Sequence, residues 1–179
     1  MSETFDAIVV GAGQAGPSLA GRLTGAGMRV ALVERHLFGG TCVNTGCMPT
    51  KALVASAYAA HLARRAADYG VTIPGEVAVD MRRVRDRAGT VATNARTNVE
   101  RWLGGMDGLT VLRGHARFEG PATIRVGDAL LTAPRIFLNV GGRALVPDMP
   151  GVNDVPYLTN TSIPVSYTHL RAHETDSYL

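Results

Sequence analysis

A chain of 179 residues, 46% of them hydrophobic, is long enough to bury one proper core, and one domain is the default expectation. The formal charge of +3 is scattered rather than gathered into a patch, which argues against nucleic acid and membrane surfaces as partners. MSETFD opens with acids, and the first apolar run, residues 7–10, is broken at once by glycines, so neither a membrane span nor a secretion signal is read and a cytoplasmic protein is expected.

In chain order, residues 5–10 (FDAIVV) form a short β-branched run that predicts a strand, GAGQAG follows at residues 11–16, and Leu19, Ala20 and Leu23 then recur at helical spacing. MRVALVE, residues 28–34, predicts a second strand. Its last residue, Glu34, falls about 20 residues beyond the glycines, as a dinucleotide-binding βαβ unit requires. Gly11 permits the tight turn, Gly13 lets backbone approach a pyrophosphate, and Gly16 lets helix and strand pack closely. The helix N-terminus offers free N–H groups and a partial positive charge to phosphates. Glu34 would accept hydrogen bonds from a ribose diol and repel a 2′-phosphate, so FAD or NAD fits better than NADP.

GGTCVNTGCMPTK, residues 39–51, holds both cysteines, Cys42 and Cys47. A structural disulfide is disfavoured in a cytosolic chain with no other cysteine. Zinc wants four ligands at recognisable spacing, and the nearby His36 and His61 follow no ligand pattern, so no metal is expected. A redox pair remains. On one regular helix, residues five apart are separated by about 7.5 Å of rise and point in different directions, too far for a disulfide. The pair is therefore expected where a helix begins irregularly, with Gly46 permitting the entry, Pro49 in the first turn, and an alanine-rich helix running to about Ala67. A thiolate at a helix N-terminus is stabilised, which favours redox chemistry.

Asp80 is a plausible N-cap, after which Val84, Ala88, Val91, Ala95, Val99 and Trp102 recur at helical spacing up to Gly104 and Gly105. Trp102 reads as core, and the arginines of RRVRDR as a solvated face. LTVLRGHARFEG, ATIRVGD and ALLTAPRIFLNVGG then read as a small meander followed by a buried strand, with His115 at a turn.

GAGQAG, Glu34 and GGTCVNTGCMPTK together resemble the pyridine nucleotide–disulfide oxidoreductases of the glutathione reductase, dihydrolipoyl dehydrogenase and mercuric reductase type. Thr45, Met48 and Thr50 are mild departures that leave the redox pair intact. The resemblance implies an α/β, Rossmann-like FAD-binding domain with a parallel sheet, flanking helices and a small antiparallel meander. It also implies electron flow from NAD(P)H through FAD to Cys42–Cys47, and on to a small disulfide or thiol-reactive substrate. Cys42 would be the interchange thiol and Cys47 the thiol against the flavin. Lys51, the only lysine in the chain, would stand near the flavin ring as a compact cation. Gly40 and Thr41 would shape the phosphate and ribose contacts, and Arg35 joins Glu34 in the cofactor-binding set. His115 and Ala116 lie in the segment whose backbone meets the adenine. Gly141 belongs to the loop closing over FAD, which here reads Asn139, Val140, Gly141 where the family usually has Ala-Thr-Gly. The family's parent enzymes are expected to be homodimers. Mercuric reduction proper, and an FAD-binding module without redox turnover, stand as alternatives.

Residues 1–163 thus read as the FAD-binding, N-terminal part of a longer enzyme, itself inactive without the NAD(P)H and interface domains. Residues 164–179 read as a non-native tail. VSYTHLRAHET, residues 165–175, matches one reading frame of a transposase adapter used in sequencing libraries, so His169, His173 and Glu174 carry no functional weight.

Overall fold

A computed structural model of the protein describes residues 2–163. The adapter-derived reading of residues 164–179 lies outside the described residues.

The centre of the fold is a parallel sheet of β2 (Ala7–Val10), β3 (Val30–Glu34), β4 (Leu109–Arg113) and β8 (Ile136–Leu138), in the order β4-β3-β2-β8. Along β2 and β3 both faces are apolar, as expected for parallel strands covered on two sides. Ile8, Ala31 and Val33 meet Phe5, Ile124, Val126, Leu131 and Ala133 on one face. Ala7, Val9, Val30 and Leu32 meet Ala20, Phe38 and Leu103 on the other. The first cover is an antiparallel meander of β5 (Ala116–Gly120), β6 (Thr123–Val126) and β7 (Ala129–Thr132), extended by β1 (Ser2–Thr4) pairing parallel with β7. The second is helical: α1 (Ala15–Gly25) and α4 (Met81–Gly104). Two further helices, α2 (Gly40–Asn44) and α3 (Cys47–Arg64), lie between β3 and α4, and α3 gives way to a 3₁₀ turn at Ala66–Tyr69, just before the expected end. Asp80 caps α4 as expected, its Oδ1 accepting from the Arg83 N–H at 3.1 Å.

Four expectations need correction. Leu109–Arg113 does not open the meander but joins the parallel sheet beside β3, because Leu109 and Val111 face the helices while Leu112 faces the meander, giving the strand two apolar sides. The final strand, β8, is not buried: it is the sheet edge, and Leu138 is 58% exposed. Trp102 is not core. It is 51% exposed and spreads over the bare Cα of Gly21, whereas Leu103 is buried. Ala88 is buried and Val99 packs on the core, as the periodicity predicts, but Ala92 and Leu103 are buried in place of Val91 and Trp102, a shift of one residue. Nor do its arginines form only a solvated face, since Arg87 and Arg96 reach across to the neighbouring helices.

Candidate functional site

All four parallel strands end on the same side, and β2 lies between β3, its successor, and β8, the last strand of the sheet. The chain therefore leaves β2 toward one neighbour and later returns beside the other, which opens a crevice at the strand ends. GAGQAG lies there. Gly11, at φ +105°, turns directly under β8, where a Cβ would stand 2.3 Å from the Asn139 carbonyl oxygen. A Cβ on Gly16 would stand 1.9 Å from the Gly11 oxygen, so helix and turn touch as backbone. The start of α2 closes in from the other side: a Cβ on Gly40, at φ +59°, would come within 2.8 Å of the Gly13 Cα. At Gly11, Gly16 and Gly40 backbone thus meets backbone with no space for a side chain. The N-terminus of α1 has no side-chain cap and no acidic residue in its first turn, which leaves its N–H groups and dipole to an anion.

Glu34 is fixed at the rim. Its Oε2 accepts from the Ala12 N–H and its Oε1 from the His36 N–H, both at 2.8 Å, and each oxygen keeps a further lone pair for a hydroxyl donor. The Gly114 N–H donates to the Glu34 carbonyl at 2.9 Å, which brings His115 and Ala116 alongside. Arg35, Thr41 and His115 are exposed; Gly141, at φ +67°, lies two residues past Asn139 at the same end of the sheet. These positions, from Gly11 to Gly141, therefore gather around the crevice.

The cysteines stand next to it. Cys42 lies in α2 and Cys47 opens α3, with the helical path broken at Thr45 (φ −139°, ψ 10°) and Gly46 (φ −128°, ψ −113°). The irregular entry expected from the five-residue spacing is this break, and Pro49 is buried in the first turn of α3. Both cysteines are free, Cys42 half-buried and Cys47 exposed. The Cys42 thiol is pushed above its ordinary pKa, chiefly because its S–H is hydrogen-bonded to Cys47, then by partial desolvation and by repulsion from charge on Cys47. The Cys47 backbone N–H and the Lys51 ammonium pull it partly back. Lys51 is exposed, one turn into α3, and its charge is felt at the pair.

Sequence reading missed Asn44, whose side chain ties α2 to the Phe38 and Gly40 carbonyls, and Gln14, whose Nε2 donates to the Gly39 carbonyl at 3.2 Å. It also missed Arg96, which reaches Asn44 from α4. No periodicity marks such residues; the Asn between the cysteines was the one available signal. Among the described residues no cluster of three or more His, Cys, Asp or Glu is placed to hold a metal ion, and no helix is long and apolar enough to cross a membrane.

A bare-backbone crevice at the switch point of a parallel sheet, next to a dithiol at a helix break, defines a class: the nucleotide-binding domain of a disulfide oxidoreductase. The chain belongs to the pyridine nucleotide-disulphide oxidoreductase family, whose model matches residues 5–175. It is 31% identical to a mercuric reductase of Bacillus cereus over 89% of the chain and 25% of that protein. It is 32% identical to a dihydrolipoyl dehydrogenase of Acholeplasma laidlawii over 86% of the chain and 46% of that protein. Among solved structures, the HOCl-induced flavoprotein disulfide reductase RclA of Escherichia coli superposes with a TM-score of 0.70 at 31% identity, over 89% of this chain and 33% of that one. The chain thus spans less than half the length of these relatives.

Proposed function

We propose that this chain is the FAD-binding part of an enzyme that moves electrons from NAD(P)H through FAD to the Cys42–Cys47 pair, and from there to a small disulfide or thiol-reactive substrate. The observation that carries the reading is the juxtaposition of a crevice lined by bare glycine backbone with two cysteines that meet across a helix break, the Cys42 thiol hydrogen-bonded to Cys47. The residues fit FAD: Gly11 and Gly40 let β8 and α2 close on the glycine turn, Gly13 leaves bare backbone for a diphosphate to approach, the first turn of α1 offers N–H groups, Glu34 would meet a ribose, and His115, Ala116 and Gly141 would border the remainder. FAD bound there would supply a two-electron carrier that NAD(P)H can reduce. Cys47, exposed at the first position of α3, takes the flavin-side role and Cys42 the substrate-side role. Lys51 supplies positive charge beside the pair.

The sequence similarity to mercuric reductases favours, as a second reading of the substrate, a thiol-reactive metal ion such as mercuric ion. The parent is proposed to be cytoplasmic and homodimeric, with no nucleic-acid or membrane partner.

Equilibrium dialysis of the apoprotein against FAD tests the site. One FAD should bind per chain, and Glu34→Ala should weaken binding about ten- to a hundredfold, since hydrogen bonds to a charged acceptor are worth about 1.5–3 kcal/mol. Failure to bind FAD, or an unchanged affinity in the variant, contradicts the assignment.

A further inference from the structure

Asn44 is the last residue of α2, between the two cysteines, and its amide is fully engaged. Nδ2 donates to the Phe38 carbonyl and to the Gly40 carbonyl, both at 2.9 Å, while Oδ1 accepts from Arg96 Nη1 of α4 at 3.4 Å. Phe38 belongs to the buried core, so one end of this chain of contacts is anchored under the sheet and the other on a 24-residue helix. α4 packs along both α2 and α3, and holds the second of them separately: Arg87 Nη1 donates to the Ala52 carbonyl at 2.8 Å and to Ser56 Oγ at 3.3 Å. The helix that carries Cys42 and the helix that carries Cys47 are thus each tied to α4 by an arginine. Between them run only Thr45 and Gly46, both outside regular helix.

We propose that Asn44 and Arg96 are positioning residues for the redox pair: they set the angle of α2 against α3 and so hold Cys42 where it can bond to Cys47. The inference rests on the reading of the two cysteines as a redox couple. A disulfide needs its Cβ atoms about 3.5–4.5 Å apart, and two short helices joined by a two-residue break would otherwise sample a wider range. Fixing the angle raises the effective concentration of one thiol at the other and favours the disulfide, with no contact from either residue to a substrate.

The test uses the chain without FAD, equilibrated in buffers of graded reduced-to-oxidised dithiothreitol and quenched with a mass-tagging maleimide. Oxidation joins the two Sγ atoms, releases both thiol protons and passes two electrons to oxidised dithiothreitol, whose own S–S bond opens to the dithiol. The chain has only these two cysteines, so the tagged fraction reads the pair directly. Asn44→Asp keeps the shape but loses both donors, and should shift the equilibrium toward the dithiol about tenfold, the scale of a hydrogen-bonded group left unpaired. Arg96→Ala should shift it in the same direction, and Arg96→Lys should return it toward the parent value. A merely structural link would lower the melting temperature and leave this equilibrium in place. Folded Asn44→Asp and Arg96→Ala proteins that both titrate with the parent overturn the proposal. If Asn44→Asp fails to fold, Arg96→Ala alone decides. If the parent chain itself forms no Cys42–Cys47 disulfide in any buffer, the redox reading falls and takes this one with it.

Discussion

The proton on Cys42 decides what the reduced pair can do. Its S–H points to Cys47, and a second negative charge beside the first is unfavourable, so the thiol proton is retained above the ordinary cysteine range. In the substrate-side role proposed for Cys42, a thiol in that state attacks only once a base removes the proton, whereas the partner sulfur is already engaged as acceptor. The pH dependence follows. Alkylation of Cys42 by iodoacetamide in the reduced chain should have its midpoint above that of an ordinary cysteine. In Cys47→Ala the midpoint should fall, because the largest raising influence is gone while Lys51 remains. An unchanged midpoint would contradict the hydrogen bond from Cys42 to Cys47. The linkage has a definite sign: a folded-state pKa above the unfolded value contributes stability at pH below the unfolded thiol pKa, and that contribution is lost as pH rises through the folded value. The reduced chain should therefore lose stability at alkaline pH that Cys47→Ala does not lose.

At the level of elements, the break between α2 and α3 is legible in the sequence, since cysteines five apart cannot close a disulfide on one helix and Gly46 offers the place to bend. What makes the break unique is not legible there. A Cβ on Gly46 would lie 2.9 Å from the Thr41 carbonyl oxygen, a backbone atom that cannot swing aside. Gly46→Ala should force α2 away from α3 at a cost of about 1–3 kcal/mol, as for other insertions into a packed site. Urea denaturation of the reduced chain measures it, and an unchanged midpoint would mean that the break has slack. The corrections to α4 and β4 have a common source. Periodicity locates an apolar stripe to within a residue: Ala88 lies on the expected line, whereas Ala92 and Leu103 are buried one position past the expected Val91 and Trp102. Likewise LTVLR satisfies a meander and a parallel strand equally well until β3 is present to pair with it.

Across the whole molecule, three layers bring together residues that the chain keeps far apart: the glycine turn after β2, Glu34 at the end of β3, the start of β5, and the loop after β8. Local chemistry announces the first two and the family resemblance suggests the others, which the Gly114–Glu34 hydrogen bond and the pairing of β8 with β2 bring to the same edge. The sheet order β4-β3-β2-β8 seats α2 on the glycine turn and so puts the dithiol beside the crevice. The central claim is that this dithiol exchanges electrons with a flavin bound in the crevice. Anaerobic dithionite titration of the FAD-reconstituted chain tests it most directly. The account predicts uptake of two electrons beyond those of the flavin, with a long-wavelength absorption band from thiolate and flavin that disappears in Cys47→Ser. Uptake that stops at the flavin, with no such band, would contradict it.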